Sequence, residues 1–292
     1  MMLKYYMITA IIGLLVYQPV FAQDQYSYRG FDAPISIVQY GGYFYLSNAG
    51  NVAAMSAKDG DGYISRIRSD GSQEEVTSKF LSGLDSPHGI YAWQSVLYVC
   101  DVDRLLGFDL QSKKKVFELS FAAHHTVCLS DIASSGNHII YVSATDINAI
   151  FEVNLTEKTC KKWMETVAPN SLLIDKDRMY VSSWGTDSLP NGKLGVIDMQ
   201  RKTYRQLGEC EGLLWGLAID GKRLYFCDWV SMNAKRGVLR WYHLDTGECG
   251  RIQLTSKIGG PADFIYDSRN DLFVIPAVLE GAVYGAVGFK NR

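Results

Sequence analysis

The sequence predicts an all-β fold, a six-bladed β-propeller with four-stranded antiparallel blades, from three observations. Six segments of similar sequence recur about every forty to fifty residues. Each is followed, ten or eleven residues after its second position, by an aromatic residue between apolar ones. Turn residues then divide each repeat into four short segments rich in β-branched and aromatic residues. A period of this size indicates repeated structural units, and four strands repeated six times form a propeller.

The six repeats open alike, and their openings define the predicted innermost strands. A single four-stranded sheet cannot bury both faces, whereas stacking each blade against two neighbours does so. A seven-bladed ring and a β-sandwich are the alternatives, and six aligned openings favour six blades. The openings are Pro34–Ile37, Pro87–Ile90, Leu129–Ile132, Pro169–Leu172, Leu214–Leu217 and Pro261–Phe264, and the aromatic triplets are Phe44–Leu46, Leu97–Val99, Ile140–Val142, Met179–Val181, Leu224–Phe226 and Leu272–Val274.

The last repeat predicts how the ring closes. It ends after a third strand near Ala282–Phe289, so it lacks a fourth strand of its own. The segment Tyr26–Phe31 precedes the first repeat and has strand character. We therefore expect the N- and C-terminal segments to complete the last blade together, which also protects the sheet edges.

The first 22 residues have the pattern of a secretory signal peptide. Lys4 precedes a mostly apolar run, Ile8–Val16, and Val20–Ala22 offers small or apolar residues at the cleavage position. The run is shorter than the roughly 20 residues that span a bilayer. We expect a signal peptide over 1–22, a propeller over 23–292 and no membrane span after cleavage. The mature protein is expected in the periplasm, or secreted.

Charge and cysteine content narrow the functional classes. The formal net charge is −2 with no basic patch, so a nucleic-acid partner is not expected. No P-loop motif occurs, so no nucleotide is predicted. An even number of cysteines in an exported chain permits disulfides, but buried free thiols fit equally well, and sequence does not choose among the fifteen full pairings. The six cysteines are Cys100, Cys128, Cys160, Cys210, Cys227 and Cys249.

The candidate binding site is the mouth of the central channel. Loops entering the innermost strands share one face with the loops joining the second and third strands. Three of the latter are long, Ser47–Gly62, Ser182–Gly192 and Asp228–Gly237, and long loops beside a rigid ring often carry binding residues. Tryptophans there predict an aromatic wall for a small or sugar-like ligand, unless they pack between blades. The predicted ligand-binding residues are Asn48, Asn170, Trp184, Asp187, Trp215, Asp228 and Trp229.

A catalytic role is predicted for one histidine. His88 is the only histidine expected at the mouth, and a histidine can act as a general base near neutral pH. Asp101 follows the second strand of the same repeat and is placed to orient it. A lyase using His88 is therefore one hypothesis, beside a purely structural role for a histidine in a Pro-His-Gly turn.

Three stretches carry a family resemblance. Pro87–Asp103 resembles an NHL repeat, and the chain from about 30 to 290 is similar to the regucalcin-like senescence-marker-protein/gluconolactonase superfamily. Lys58–Arg66 and Pro261–Asp267 are similar to exported bacterial members. The resemblance implies a six-bladed fold and, for the hydrolases of the family, one divalent cation in the channel.

The metal ligands implied by that resemblance match only in part. Asn170 in Pro169–Ser171 matches the asparagine ligand, whereas Ile35–Ser36 and Trp215–Gly216 stand where acidic ligands are expected. Asp131 and Asp263 offer further oxygen donors, which suit calcium best among common cations. The predicted metal residues are Asp131, Asn170 and Asp263.

Two hypotheses of different class follow. The first is a propeller that binds a small molecule or an envelope protein at the channel mouth, without a complete matched catalytic set. The alternative is a divalent-metal-dependent hydrolase of lactones or esters with its metal in the channel. Because one fold supports many functions, the side chains at the mouth must decide.

Overall fold

The computed structural model describes residues 21–54, 56–70, 76–187, 189–232 and 236–288. Most of the predicted signal peptide, residues 1–20, lies outside the described residues, and the predicted cleavage after Ala22 stays a prediction. No helix within the described residues is long and apolar enough to cross a membrane.

The described strands form six four-stranded antiparallel blades in a ring, which confirms the predicted fold. Strands are numbered in chain order, from the innermost strand of each blade outward. Blade one holds β2 (Pro34–Tyr40), β3 (Tyr43–Asn48), β4 (Gly62–Arg68) and β5 (Val76–Leu84), and blade two holds β6 (Pro87–Trp93), β7 (Val96–Asp101), β8 (Arg104–Asp109) and β9 (Lys115–Ser120). Blade three holds β10 (Leu129–Ser134), β11 (Ile139–Ala144), β12 (Ala149–Asn154) and β13 (Thr159–Glu165), and blade four holds β14 (Pro169–Asp175), β15 (Arg178–Ser183), β16 (Gly192–Asp198) and β17 (Thr203–Gly212). Blade five holds β18 (Leu214–Asp220), β19 (Arg223–Asp228), β20 (Val238–His243) and β21 (Cys249–Leu254). Blade six holds β22 (Ile265–Asp267), β23 (Leu272–Ala277), β24 (Ala282–Val287) and, as its outer strand, β1 (Phe21–Arg29).

Burial along the strands reflects their position in a blade. The second strands, such as β3 and β7, are buried on both faces over nearly their whole length, because neighbouring blades cover each side. The outer strands, such as β9 and β13, are mostly exposed, with single buried residues such as Phe117 and Trp163. Second strands therefore have continuous apolar sequences, as is typical of a sheet covered on both faces.

The ring closes through the N-terminal segment, as predicted. β1 pairs antiparallel with β24, for example Tyr28 with Val283. A β-carbon on Gly285 would lie only 2.5 Å from the ring of Tyr26, so a glycine is needed under this aromatic ring. β1 also adds two parallel pairs to β21 of blade five, so blades five and six share one eight-stranded sheet.

A bulge near the start of the innermost strand recurs in each of blades one to five. In blades one to four, the first and fourth residues of the innermost strand pair with the second strand, and the two residues between them do not. In blade five the first, second and fourth residues pair, so only one residue is left out. A serine on the second strand forms hydrogen bonds with a backbone N–H in this bulge and with a backbone carbonyl of the next blade. Ser47 Oγ accepts the Ser36 N–H at 3.0 Å and donates to the His88 carbonyl of the next blade at 2.6 Å. Ser143 makes the same two bonds, to Asp131 N–H and Asn170 O.

This serine position explains two of the six cysteines. Cys100 and Cys227 directly precede Asp101 and Asp228, the residues paired with the first residues of β6 and β18, so they replace the serine in their blades. Both are fully buried, and burial raises the pKa of each thiol well above its usual value. All six cysteines carry free thiols in the structure. Cys100 and Cys227 are thus core residues.

Candidate functional site at the channel mouth

A cavity of about 260 Å³ occupies the mouth of the channel. Innermost-strand residues form its floor, and loop residues form its wall and rim. Of the residues predicted to bind or act at the mouth, His88, Asn170, Trp184, Trp215 and Trp229 line this cavity; the other lining residues are Val52, Ser56, Cys128, Ser130, Thr145, Met232 and Leu279.

Three tryptophans form one wall of the cavity. Trp184 packs edge-on against Trp215 and Trp229 at centroid distances of 5.2 and 5.1 Å, and the latter two stack at 5.8 Å. The indole N–H of Trp229 donates to the Pro261 carbonyl at 2.9 Å, which fixes that ring. Trp215 and Trp229 are nearly buried, whereas Trp184 is half-buried. The wall is therefore rigid, and the indole of Trp184 is its most accessible ring.

The floor presents oxygen acceptors. Thr145 Oγ1 donates to the Pro169 carbonyl at 2.6 Å and lies 2.5 Å from Ser130 Oγ. Because the single hydroxyl hydrogen of Thr145 is used, Ser130 donates to Thr145 and keeps its own lone pairs. Asn170 donates its amide to the Leu214 carbonyl at 3.0 Å, which leaves Oδ1 as an acceptor. A ligand hydroxyl or N–H therefore has partners at this end.

Below this floor the innermost strands pack closely. A β-carbon on Gly89 would lie 2.4 Å from Asp131 Cα, and one on Gly216 would lie 2.6 Å from the ring of Phe264. Gly216 also has a positive φ of 49°. The backbones of neighbouring blades thus leave no room for side chains at these positions, and the cavity is backed by a crowded layer.

Two carboxyl groups lie in this deeper layer. Asp131 accepts backbone N–H groups from Ile132 and Leu172 at 2.7 and 2.8 Å, and Asp263 accepts the Ser36 hydroxyl at 2.6 Å. Burial, with a further contribution from Asp263, raises the pKa of Asp131 well above its usual value. Burial raises the pKa of Asp263 to about 6. The pair favours at least one bound proton.

These residues fit a divalent cation poorly. Both oxygens of Asp131 already accept backbone N–H groups, and one oxygen of Asp263 accepts a hydroxyl. Within the described ranges, no three or more His, Cys, Asp or Glu side chains group closely enough to hold a metal ion. The cation expected at Asp131, Asn170 and Asp263 has no support from this donor set.

The Asp101 carboxylate fastens a loop, and its predicted role of orienting His88 stays a prediction. Its carboxylate accepts the backbone N–H groups of Asp85 and Ser86 at 3.0 and 2.8 Å and is paired with Arg104 at 2.9 Å. These contacts fasten the loop that enters β6 to the end of β7. His88 itself is nearly buried and lines the mouth cavity.

Asp228 has a similar bracing role in blade five. It forms a buried ion pair with Arg240 at 3.0 Å and accepts the Val230 N–H at 2.7 Å. Arg240 also donates to the Glu211 carbonyl of blade four at 2.8 Å. The side chain predicted to contact ligand therefore joins two blades and does not line the cavity.

Two further predicted ligand-binding residues also lie away from the cavity lining. Asn48 is fully buried and donates its amide within blade one, to Leu46 O and Ser65 Oγ at 3.0 Å each. Asp187 is exposed in the loop after β15, with a positive φ of 55°. A position after the second strand therefore does not by itself place a side chain at the mouth.

Sequence reasoning missed lining residues on the short loops. Thr145 and Leu279 lie in 3₁₀ turns, Thr145–Ile147 and Val278–Glu280, which follow the second strands of blades three and six. These turns are short, so loop length gives no signal for them in the sequence. Two further 3₁₀ turns are Val52–Ala54 and Ala122–His124.

A second cavity, of about 460 Å³, lies at the side of blade four. Residues such as Thr166, Asn191, Lys193 and Tyr204 line it. Larger than the mouth cavity, it has no aromatic wall comparable to the three tryptophans and receives none of the predicted site residues.

The fold and the mouth cavity define a six-bladed β-propeller with a concave, tryptophan-lined site at the mouth of its channel. No family model and no curated protein sequence matches the chain. Among solved structures, a chain of hydrazine synthase from Kuenenia stuttgartiensis is similar, with a TM-score of 0.63 and 16% identity over 85% of this chain and 74% of its own. A chain from a nidogen/laminin complex has a TM-score of 0.56 and 14% identity, over 80% and 92%. At these identities the likeness shows the fold alone, and the regucalcin-like family stays an expectation from the sequence.

Proposed function

We propose that this protein binds a small molecule in the channel-mouth cavity, with an apolar ring against the tryptophan wall and a hydrogen-bonding group on the floor. The observation that carries the proposal is the convergence of Trp184, Trp215 and Trp229 with Ser130 and Asn170 around one cavity. A concave site with a mostly apolar lining and a few converging polar groups is the usual form of a ligand pocket.

The chemistry of the lining selects the class of ligand. Trp184 offers a broad apolar face, while Ser130 and Asn170 offer acceptors. Among the described residues that line the cavity there is no Lys, Arg, Asp or Glu, so an uncharged ligand is preferred over an ionic one. A volume of about 260 Å³ fits a ligand of one or two rings. Cyclic alcohols, phenols and lactones have this combination.

The experiment is a binding screen of such compounds, read by saturation-transfer NMR and by intrinsic tryptophan fluorescence. Three of the six tryptophans are in the cavity wall, so fluorescence reports directly on it. Trp184→Ala should weaken each hit about tenfold or more, since about 1.4 kcal/mol of lost contact is a factor of ten. The matched control is Trp241→Ala, which removes a half-buried indole on β20 outside the cavity. Equal affinities for the wild-type protein and Trp184→Ala would refute the proposal.

A second candidate, docking of an envelope protein, is favoured by the exposed apolar residues of the mouth face. Seven of the ten exposed large hydrophobic side chains among the described residues lie in loops on this face. A concentration of apolar side chains on one face is typical of an interaction surface. The seven are Val52, Val127, Val167, Leu189, Val230, Met232 and Leu279.

Docking is tested outside the cavity. Val167 and Leu189 are exposed but do not line it. The double variant Val167→Glu/Leu189→Glu should lose a partner recovered from cell-envelope extract, and Val116→Glu on the outer strand β9 should keep it. A partner retained by the double variant would remove the support for docking at this face.

The metal-dependent hydrolase alternative needs a cation at Asp131, Asn170 and Asp263, although this donor set does not favour one. Metal analysis of the purified protein, with the melting temperature before and after chelation, tests it, because a bound cation stabilises the folded state by mass action. One equivalent of metal and a lower melting temperature on chelation would support this alternative. No metal and an unchanged melting temperature would leave ring binding as the function to pursue.

A further inference from the structure

Two cysteines on neighbouring outer strands lie together. Cys210 is on β17 of blade four and is buried, and Cys249 is the first residue of β21 of blade five and is exposed. Cys249 is one of the neighbouring groups that raise the pKa of the Cys210 thiol. Both thiols are reduced in the structure.

A bulge in β17 brings Cys210 to this place. Lys193 pairs with Glu211 and Gly195 pairs with Gln206, so the four residues 207–210 lie opposite Leu194 alone. In a regular strand residues 207 and 209 would share a face. Instead, of the four residues 207–210, Leu207 and Cys210 are the buried ones. The bulge turns Cys210 toward blade five.

Blade five meets this bulge through Tyr242. A β-carbon on Gly208 would lie 2.9 Å from the Tyr242 ring, so the bulge backbone rests on that ring. Cys210 belongs to the same buried cluster as Tyr242. Cys249 is the ladder partner of Tyr242 on β21. Both cysteines are therefore placed beside Tyr242 by the backbones of blades four and five.

The remaining cysteines are placed for other roles. Cys100 and Cys227 occupy the serine position of the innermost layer and are fully buried. Cys128 lines the mouth cavity, with its sulfur 3.4 Å from Ser130 Oγ. Cys160 lies 3.8 Å from His124 Nε2.

We propose that Cys210 and Cys249 form a disulfide that fastens the outer strands of blades four and five. The oxidant is a disulfide donor, either a thiol–disulfide oxidoreductase or a small-molecule disulfide. The exposed Cys249 thiolate attacks one donor sulfur and releases the first donor thiolate. The Cys210 thiolate then attacks Cys249 Sγ and releases the second. The protein gains one S–S bond, the donor becomes two thiols, and these take up the two protons lost by the cysteines.

The closing step depends on the acidity of Cys210. Burial and the neighbouring Cys249 raise the pKa of the Cys210 thiol to about 12. Since the thiolate is the nucleophile, closure should be slow near neutral pH and faster as pH rises. Closure during folding, before Cys210 is buried, avoids this limit.

The experiment treats the whole purified protein with glutathione disulfide at about pH 9, where more of the Cys210 thiol is ionised and closure is faster, and maps its tryptic peptides without reduction. The expected product joins peptide 206–222 to peptide 241–251, lighter by two hydrogens than the sum of the two. A reductant should then lower the melting temperature by several degrees, because the cross-link restricts the unfolded chain. Cys249→Ser should lose both the joined peptide and this shift, while Cys160→Ser, the matched control, should keep them.

Three results would overturn the proposal. Cys210 and Cys249 could both be alkylated after oxidation and unfolding, either could be joined to a different cysteine, or Cys249 could carry glutathione as a stable mixed disulfide. Unfolding before alkylation exposes Cys210, so its burial cannot hide a free thiol.

Discussion

At the scale of single residues, the layer below the channel mouth holds two carboxyl groups among closely packed backbones. Asp131 and Asp263 approach each other where Gly89 and Gly216 already bring backbones together. Burial makes the ionised form of each carboxyl costly, and each raises the difficulty of ionising the other. The folded protein is therefore more stable when at least one of the two carboxyl groups is protonated. This property follows from the fold and does not depend on a ligand.

This acidity predicts a pH-dependent stability. The pKa of Asp263 is about 6 in the folded protein, above its ordinary value of 3.8. Between these values the folded state keeps a proton that the unfolded state has lost. The contribution of Asp263 to the free energy of unfolding therefore falls as pH rises from about 4 to 6 and then levels off. Asp263→Asn removes the charge and should raise stability at pH 8 by on the order of 2 kcal/mol, with little effect at pH 4.

Thermal melts of the wild-type protein and Asp263→Asn between pH 4 and pH 8 measure this effect. Asp187→Asn, on an exposed turn, is the matched control and should follow the wild-type curve. A constant difference between Asp263→Asn and the wild-type protein across the whole range would contradict the assignment.

At the scale of elements, acidic side chains after the second strands fasten loops. Asp101 holds the loop before β6, and Asp146 holds the loop before β10 through Thr126 Oγ1 and Val127 N–H at 2.6 and 2.8 Å. In blade six, Glu280 accepts the Gly259 N–H at 2.7 Å. Acidic side chains at or just beyond the ends of the second strands are therefore a part of blade construction.

The brace in blade five gives the sharpest stability prediction. Asp228→Ala leaves Arg240 buried without its carboxylate partner, and breaking a buried pair in this way costs about 3–5 kcal/mol. Urea unfolding should show this loss, while binding of mouth ligands to the folded variant should persist. Asp187→Asn, at another predicted ligand-binding aspartate, should leave stability within about 0.5 kcal/mol, because asparagine tolerates the positive φ of 55° at this position. An unchanged urea midpoint for Asp228→Ala would show that the ion pair is not a brace.

At the scale of the whole molecule, closure depends on β1. Its pairing with β24 completes blade six, and Arg29 adds a hydrogen bond to Tyr284 at 2.8 Å. A chain that begins at Gly30 would expose the edge of β24, and unpaired edges promote aggregation. We expect its melting temperature to fall by more than about 10 °C relative to a chain that begins at Gln23.

Circular dichroism melts and size-exclusion chromatography of the two chains measure this loss. The chain from Gln23 keeps the antiparallel ladder with β24 and serves as the control. Equal melting temperatures and equal monomer yields would mean that β1 does not close the ring.

Sequence predicted the ring better than the site, for a physical reason. The repeat records burial, and burial of second strands such as β7 on both faces forces apolar residues at a constant period. The innermost positions of His88, Asn170 and Trp215 followed from that register. Hydrogen-bond partners have no such period. Whether Asp228 faces ligand or Arg240 depends on β20, which lies beyond an intervening loop, and the sequence offered no signal for that choice.

The most direct test of the central claim is crystallographic soaking with uncharged ring compounds that carry a hydroxyl or lactone group. If the mouth cavity binds such ligands, electron density for them is expected there, with the ring against Trp184 and a polar atom within hydrogen-bonding distance of Ser130 Oγ or Asn170 Oδ1. Ligands confined to the larger cavity beside blade four, with the mouth empty in every soak, would contradict it.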